Sequence, residues 1–190
     1  MKELLIIGAR GWGREVYWSF SSLKTYMGEE FIIKGFLDDN FQALDGLKGE
    51  FPPIIDSVEH YEIKPNDIFF CALGDPIYRK KYSNILIAKG GKFISYISPY
   101  AFISPNSTIG EGCYIGAHTI ISDNVNIGKH CMIHSFCTLG HDVNIDDYVS
   151  IEAYCLLGGY VTVGQLSNLH VRSTIIRHKT IGENASIGAA

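Results

Sequence analysis

The sequence is poor in charged residues and has no cluster of basic ones. Asp, Glu, Lys and Arg make up 19% of its 190 residues, whereas an average globular domain has roughly 25%. The formal net charge is −4, and a weakly acidic chain without a basic patch has no electrostatic footprint for nucleic acid or anionic lipid. We therefore expect neither nucleic acid nor a membrane among its partners.

Long apolar runs and paired cysteines are missing as well. No stretch reaches the roughly 18 uninterrupted apolar residues that span a bilayer. Residues 1–7 lack the basic start and small-residue cleavage site of a signal peptide. The five cysteines include no Cys-x-x-Cys pair, which argues against a disulfide framework or a zinc knuckle. These absences predict a cytoplasmic protein with reduced thiols and no bound metal.

The first half of the sequence alternates short apolar runs with mixed polar segments, as an α/β domain does. The predicted strands are Glu3–Ile7, Phe31–Leu37, Asp67–Leu73 and Lys92–Tyr96, and the predicted helices are Gly13–Lys24 and Pro76–Lys89. Within the second helix, Arg79, Lys80 and Lys81 are expected on a solvated face. We expect a small parallel sheet with covering helices over residues 1–96.

From Ile97 onward the sequence has a period of six. Every sixth residue from Ile97 to Ile187 is a large aliphatic, through sixteen consecutive units. The residue four places after each aliphatic is small in every unit except at Lys179, and four of these small residues are cysteines, expected to pack inside. A hexapeptide period is typical of a parallel β-helix, in which three six-residue faces make one coil. Residues 97–190 would form about five coils.

Motifs in both halves resemble one family of enzymes. The repeats IGEGCY, IGAHTI, IGKHCM and LGHDVN resemble the left-handed β-helix acyltransferases. The segments LLIIGARGWGREV, GFLDDN and CALGDPIYRKK resemble the amino-terminal domain of the sialic acid O-acetyltransferase and nucleotide-sugar N-acetyltransferase family. The resemblance implies a Rossmann-like acceptor-binding domain before a left-handed β-helix, a homotrimer, and acetyl-CoA bound between adjacent coils. It also implies acetylation of an amino or hydroxyl group on a sugar, nucleotide-linked or free, for bacterial surface glycans.

Two departures from the family pattern bear on the acceptor and on the end of the chain. Family members read Gly-x-Gly-Gly-His-Gly in the first loop, whereas this chain reads GARGWG over residues 8–13, with Arg10 for a glycine and Trp12 for the histidine. The identity of the acceptor therefore stays open. The family also continues into further coils, and the last repeat here ends uncapped. We expect the β-helix domain to be truncated at its carboxyl end.

Acetyl transfer from a thioester needs a base for the acceptor's proton, a group that orients this base, and donors for the oxyanion. Six histidines fall in the repeats, none in an inward slot, so each is expected at a corner or on an outer face. They are His118, His130, His134, His141, His170 and His178. The resemblance places the catalytic base in the pair His141–Asp142.

Stacking of the coils suggests what surrounds this histidine. The residue 18 places after His141 is Gly159, which would lie directly above it at a spacing of about 4.8 Å. We expect Gly159 to leave room for the thioester of acetyl-CoA and to offer its amide to the oxyanion. Asp142, or alternatively Asp123 from the coil below, would orient the imidazole.

His134 belongs to a neighbouring column in which His134, Glu152 and His170 alternate. The alternatives are charge-assisted contacts between coils, acceptor binding through His134, which the resemblance favours, and a metal site. A backbone separation of about 9–10 Å between the two histidines is long for ligands at about 2.1 Å from one zinc ion. We therefore expect no metal.

The glycine loop supplies the other predicted acceptor-binding residues. Gly8, Gly11 and Gly13 follow a predicted strand and precede a predicted helix, where backbone amides and the helix dipole favour phosphate; such a turn can also be only structural. Trp12 could stack on a base or sugar, or simply pack. Asp38 and Asp39 could bind a base or ribose, or start a turn. For Asp38 and Asp39, the resemblance favours binding of the base or ribose.

Two rival functions use the same scaffold. One is a small-metabolite acyltransferase of the serine type, against which the sugar-type amino-terminal domain argues. The other is a non-catalytic trimeric binding or assembly protein, which the replacement of the loop histidine by Trp12 favours and the intact pair His141–Asp142 disfavours.

Overall fold

The computed structural model describes residues 1–23, 25–26 and 29–189. They divide into two compact units. One comprises Met1–Gly74 and Tyr78–Ile94, and the other runs from Ser95 onward and includes Asp75–Ile77. We refer to them as the α/β unit and the solenoid unit.

The first half of the chain forms a parallel sheet with helices. Its elements are β1 (Lys2–Ile7), α1 (Gly11–Ser21), β2 (Thr25–Tyr26), β3 (Glu29–Leu37), β4 (Ile54–Asp56), β5 (Asp67–Cys71) and α2 (Pro76–Ala88). The central strand β1 pairs in parallel with β3 and β5, while β3 also pairs with β4 in parallel and with β2 in antiparallel fashion. The side chains of Leu4–Ile7 and all of β5 are buried, as expected of strands covered on both sides. The predicted parallel sheet is confirmed.

Some boundaries differ from the sequence prediction. The run Lys92–Tyr96 makes only an isolated bridge, between Phe93 and Phe69, before the first solenoid strand begins at Tyr96. The helix predicted over Gly13–Lys24 begins at Gly11 and ends at Ser21, and Lys24 lies outside the described residues. Strands β2 and β4 have two and three residues, too few for a period of two to become visible.

Arg79 contradicts the prediction of a solvated helix face. Its side chain is fully buried, and Nη1 donates hydrogen bonds to the carbonyl oxygens of Leu73 at 2.8 Å and Gly74 at 3.0 Å. These carbonyls belong to the loop that leaves β5 (Asp67–Cys71). The guanidinium can be buried because its N–H groups donate hydrogen bonds to these carbonyl oxygens.

The second half of the chain is a parallel β-solenoid of two-residue strands. They are β6 (Tyr96–Ile97), β7 (Phe102–Ile103), β8 (Thr108–Ile109), β9 (Tyr114–Ile115), β10 (Ile120–Ile121), β11 (Asn126–Ile127), β12 (Met132–Ile133), β13 (Thr138–Leu139), β14 (Asn144–Ile145), β15 (Ser150–Ile151), β16 (Leu156–Leu157), β17 (Thr162–Val163), β18 (Asn168–Leu169), β19 (Thr174–Ile175), β20 (Thr180–Ile181) and β21 (Ser186–Ile187). Each strand pairs in parallel with the strand 18 residues later, as Ile120 does with Thr138. The hexapeptide β-helix predicted from the period is confirmed.

The strands form three flat faces. The first face consists of β6, β9, β12, β15, β18 and β21, the second of β7, β10, β13, β16 and β19, and the third of β8, β11, β14, β17 and β20. The periodic aliphatic and small residues, including the four repeat cysteines, fill the interior between the faces. Ile97, predicted to point inward, is 41% exposed because β6 is the end strand of its sheet and lacks a coil on one side.

The corners between faces share one backbone conformation. We number the aliphatic residue of each hexapeptide as its first place. In every hexapeptide from His118 to Asn184, the fourth place adopts a left-handed conformation with φ between 53° and 63°. These residues are His118, Asn124, His130, Phe136, Asp142, Tyr148, Tyr154, Tyr160, Leu166, Arg172, His178 and Asn184. The conformation costs a residue other than glycine about 1 kcal/mol. Hydrogen bonds to the coil below offset that cost, as when the Asp142 amide donates to the Asp123 carbonyl at 3.0 Å.

Candidate active site

The pair His141–Asp142 lies at the corner between the second and third faces, after β13 and before β14. Nδ1 of His141 lies 2.7 Å from Oδ2 of Asp142, although the two residues are sequence neighbours, because Asp142 takes the left-handed conformation that turns its side chain back. The hydrogen bond from His141, and after it one from Asn124, lowers the pKa of the Asp142 carboxyl below its usual value. Asp142 is therefore a carboxylate that can orient the imidazole.

Gly159 stands against the imidazole ring in the next coil. A Cβ atom at this position would lie 2.8 Å from both Cε1 and Nε2 of His141, so any side chain would collide with the ring edge that is not held by Asp142. Tyr160 closes another side, with its ring edge-on to the imidazole at 5.1 Å between centroids. The glycine leaves the Nε2 edge uncovered by a side chain of the coil above.

Asp142 rather than Asp123 contacts the imidazole. Oδ1 of Asp123 instead accepts hydrogen bonds from Ser104 Oγ at 2.8 Å and Asn106 Nδ2 at 2.9 Å. The sequence left Asp142 and Asp123 as alternatives for orienting the imidazole, and Asp142 is the one in contact with it. We name the corner between the second and third faces the His141 corner. Its fourth-place residues are Asn106, Asn124, Asp142, Tyr160 and His178.

His134 lies at a different corner, between the first and second faces. It precedes β13 whereas His141 follows it, so the second face separates the two histidines within one chain. In the same column, Nδ1 of His170 lies 3.0 Å from Oε1 of Glu152, and Nε2 lies 3.0 Å from Ser186 Oγ. Contacts between coils therefore occupy Glu152 and His170.

The corner that carries His134 also carries a ladder of stacked rings. Tyr100, His118, Phe136 and Tyr154 follow one another with ring centroids 4.9–5.9 Å apart, and the Arg172 guanidinium lies over Tyr154. We name these five residues the aromatic corner.

His130 lies at the third corner, between the third and first faces, but its side chain does not point into solvent. Its ring stacks on Tyr148 at 5.0 Å and a Cβ at Gly112 would touch it, so that the side chain is buried.

The second face is apolar on its outer side. The outward residues of its strands are Phe102, Ile120, Thr138, Leu156 and Thr174, of which the three largest are exposed. The outward residues of the third face are Thr108, Asn126, Asn144, Thr162 and Thr180. Sequence reasoning missed this difference, although the residue before every third aliphatic carries the signal. The apolar face lies between the aromatic corner and the His141 corner.

In the α/β unit, the glycine loop joins β1 to α1. Gly8 has a φ of 93°, and a Cβ there would lie 2.9 Å from Leu73 Cδ2, whereas Gly11 faces open space. Gly13 packs directly on the carbonyl of Gly8, so its lack of a side chain is a packing requirement. Arg10 precedes the helix without a side-chain capping bond, and Trp12 is half-buried in the first turn.

Asp38 ties this loop to the end of β3. Its Oδ2 accepts a hydrogen bond from the Ala9 amide at 2.8 Å, and its Oδ1 accepts one from the Asn40 amide at 2.9 Å. Asp39 is exposed and accepts a long hydrogen bond from Tyr82 at 3.4 Å. The structure thus joins Asp38 to the glycine loop through a structural contact and leaves Asp39 open to solvent.

The described residues contain neither a cluster of metal ligands nor a membrane-spanning helix. Within residues 1–23, 25–26 and 29–189, no three His, Cys, Asp or Glu side chains are grouped to hold a metal ion. In the same part of the chain, neither helix has the length and apolar character needed to cross a bilayer.

Known proteins resemble the chain over its whole length. The GMPPB C-terminal domain model matches residues 85–189 and the PglD N-terminal domain model matches residues 3–86. The acetyltransferase domain of PglB from Neisseria gonorrhoeae FA1090 is 25% identical, with a TM-score of 0.74 over 100% of this chain and 92% of that one. Its complex with acetyl coenzyme A aligns at 24% identity and a TM-score of 0.76, over 98% and 92% of the two chains.

Two further matches differ in extent. A histidine-to-asparagine mutant of perosamine N-acetyltransferase from Caulobacter crescentus, in complex with CoA and GDP-perosamine, is 20% identical with a TM-score of 0.76 over 100% of this chain and 90% of that one. Uncharacterized protein L142 of Acanthamoeba polyphaga mimivirus is 34% identical over 82 residues, which are 43% of this chain and 16% of that protein. The chain belongs to the GMPPB C-terminal domain family through its solenoid, which follows an amino-terminal domain of the PglD type, and it is an acetyltransferase related to the nucleotide-sugar N-acetyltransferases.

Proposed function

We propose that the protein transfers the acetyl group of acetyl-CoA to an amino or hydroxyl group of a nucleotide-linked sugar for bacterial surface glycan synthesis, with His141 as the general base. The observation that carries the proposal is the arrangement of three groups at one corner. Asp142 holds Nδ1 of His141 at 2.7 Å, and Gly159 keeps the coil above free of a side chain over Nε2.

The proposed reaction uses this arrangement directly. With its Nδ1 hydrogen donated to Asp142, His141 presents the lone pair of Nε2 to the acceptor. The acceptor nitrogen or oxygen attacks the thioester carbonyl carbon while Nε2 removes its proton, which gives a tetrahedral intermediate. Collapse of that intermediate breaks the carbon–sulfur bond, and the imidazolium returns the proton to the departing CoA sulfur. The backbone N–H of Gly159 is the proposed donor to the oxyanion.

The comparisons support acetyl-CoA as the donor substrate. The acetyltransferase domain of PglB, which aligns with nearly the whole chain, is described in complex with acetyl coenzyme A. The consecutive glycines Gly158 and Gly159 support a path for a thin pantetheine chain at this corner. The location that goes with this chemistry is the cytoplasm, where thiols stay reduced.

The α/β unit is the proposed acceptor-binding domain, with residues 1–96 assigned to the sugar nucleotide and residues 97–190 to acetyl transfer. The loop from Gly8 to Gly13 precedes the amino-terminal end of α1, where backbone amides and the helix dipole attract phosphate. Asp38 would hold this loop in place through Ala9, and Trp12 and Asp39 would meet the base or ribose. The perosamine N-acetyltransferase, described with GDP-perosamine, supports a nucleotide-linked acceptor.

A homotrimer is part of the proposal because the exposed apolar second face needs a covering partner. A closed ring of three copies buries such a face through one repeated contact. The ring would bring His134 of one copy, at the aromatic corner, towards the His141 corner of the next. This arrangement would let His134 contact the acceptor although the two histidines are separated within a single chain.

The proposal is tested by release of free CoA thiol from acetyl-CoA across a panel of nucleotide-linked amino sugars. We expect acceptor-dependent release by the wild type and a loss of about 100-fold or more for His141→Ala. His60→Ala, which changes an exposed histidine of the α/β unit, is the control and is expected to retain full activity. Absence of acceptor-dependent release with every sugar, or equal rates for wild type and His141→Ala, would overturn the proposal.

A further inference from the structure

One polar residue at the His141 corner has no part in the mechanism above. Asn124 lies 18 residues before Asp142, in the coil directly below. Its Nδ2 donates a hydrogen bond to Oδ1 of Asp142 at 2.7 Å, while Oδ2 of the same carboxylate lies 2.7 Å from Nδ1 of His141. Each carboxylate oxygen therefore has its own side-chain partner.

The two partners constrain different degrees of freedom. The Asp142 backbone has a φ of 59°, and its amide donates a hydrogen bond to the Asp123 carbonyl. Both features hold the backbone, and neither sets the rotation of the side-chain carboxylate plane. Contact with His141 alone would allow imidazole and carboxylate to turn together. The amide of Asn124 belongs to a different coil, and it thus anchors the pair to the solenoid.

The geometry points to Asn124 as a positioning residue of the acetyl-transfer site: its side-chain amide holds the Asp142 carboxylate in the plane in which Oδ2 meets His141, and so keeps Nε2 directed towards the space below Gly159. This inference rests on the proposed function. The hydrogen bond from Asn124 also contributes to the lowered pKa of Asp142, in keeping with a donor that favours the charged carboxylate.

The chain offers a closely matched control for Asn124. Asn184 is likewise an exposed asparagine at a fourth place, with a φ of 53° against 55° for Asn124. It lies at the corner between the third and first faces, away from His141 and Asp142. Glycine adopts this conformation without strain, so Asn124→Gly and Asn184→Gly remove the same amide from the same backbone.

We expect Asn124→Gly to lower kcat for acceptor-dependent CoA release about tenfold, with KM for acetyl-CoA within twofold of the wild type. Asn184→Gly is expected to behave as wild type. Thermal melts and sedimentation of both variants show whether fold and assembly are preserved. Equal kcat for Asn124→Gly and Asn184→Gly, in a wild type that is active and depends on His141, would overturn the inference. A wild type without activity would instead overturn the proposed function.

Asn124→Asp provides a second readout that a purely structural role would not produce. It keeps the shape of the side chain but places a carboxylate against Asp142, in a corner whose other titratable or charged groups are Asp123, His141, Tyr160, Arg177 and His178. The added negative charge favours the protonated imidazole, so the acidic limb of kcat/KM against pH should move up by about half a pH unit. Asn184→Asp should leave that limb in place. An unmoved limb in an active Asn124→Asp enzyme would contradict the inference.

Discussion

The His141 corner and the aromatic corner have the same backbone and opposite surface chemistry. From His118 onward, both corners place their fourth residues at φ values near 60°, and at both corners these residues follow one another 18 positions apart. At the aromatic corner the rings of His118, Phe136 and Tyr154 lie face to face. At the His141 corner hydrogen bonds link Asn124, Asp142 and His141.

The difference shows which positions of the repeat are free to carry function. The interior places must hold an aliphatic and a small residue in every unit because neighbouring faces close over them. The corner places are fixed in backbone conformation, and where their side chains project outward, as at the His141 corner and the aromatic corner, these side chains can change without disturbing the core. One corner joins its side chains by hydrogen bonds and the other stacks its rings, and the second face between them has an apolar outer side.

The largest expected effect comes from filling the space at the His141 corner. Gly159→Val would place a branched side chain where even a Cβ comes within 2.8 Å of Cε1 and Nε2 of His141. The imidazole must turn away or the acetyl group loses its place, and acceptor-dependent CoA release should fall at least about 100-fold. Gly182→Val, at a corner glycine with open space around it, is the control. Undiminished turnover by a correctly assembled Gly159→Val protein would show that Gly159 has no role in acetyl transfer.

The next effect concerns the apolar face between the two corners. Ile120→Glu places a charge at the outward position of β10, where an interface between copies would have to bury it at a cost of several kcal/mol. We expect sedimentation to show a shift from trimer to monomer, with CoA release lost as well. Asn126→Glu makes the equivalent change on the polar third face and should leave the trimer intact. A trimer that tolerates Ile120→Glu would place the interface elsewhere.

The interior was predictable from the sequence and the corners were only partly so. The period of six gives the inward aliphatics and the register of 18, because each inward place faces the same packing constraint. It cannot distinguish buried His130 from exposed His118, since both stand at fourth places and differ in what stacks on them. The exposure of Arg79 was predicted wrongly for a similar reason. The neighbouring lysines suggest a solvated helix face, whereas the carbonyls of Leu73 and Gly74, which accept hydrogen bonds from the buried guanidinium, precede the helix.

At the candidate site, the family motif and the stacking register predicted that His141, Asp142 and Gly159 act together, and the structure brings these three residues into one corner. It could not choose between Asp142 and Asp123, because the choice depends on the left-handed turn at Asp142 and on Ser104 and Asn106 engaging the other carboxylate. The role of Asn124 was invisible for the same reason, since its hydrogen bond joins residues 18 apart.

The smallest expected effect is on stability in acid. The pKa of Asp142 lies below its ordinary value of 3.8 in the folded protein, so its contribution to stability is present above pH 3.8 and is lost as the pH falls through the lowered value. Asp142→Asn should therefore melt slightly below the wild type at pH 6, by at most about 2 °C, and the two melting temperatures should converge as the pH falls below the lowered pKa of Asp142. Asp146→Asn, an exposed aspartate at another corner, is the comparison. The aromatic corner has no carboxylate among its five residues and depends on packing. If the difference in melting temperature persists unchanged at pH values well below 3.8, then packing, and not the charge on Asp142, stabilises the His141 corner as well.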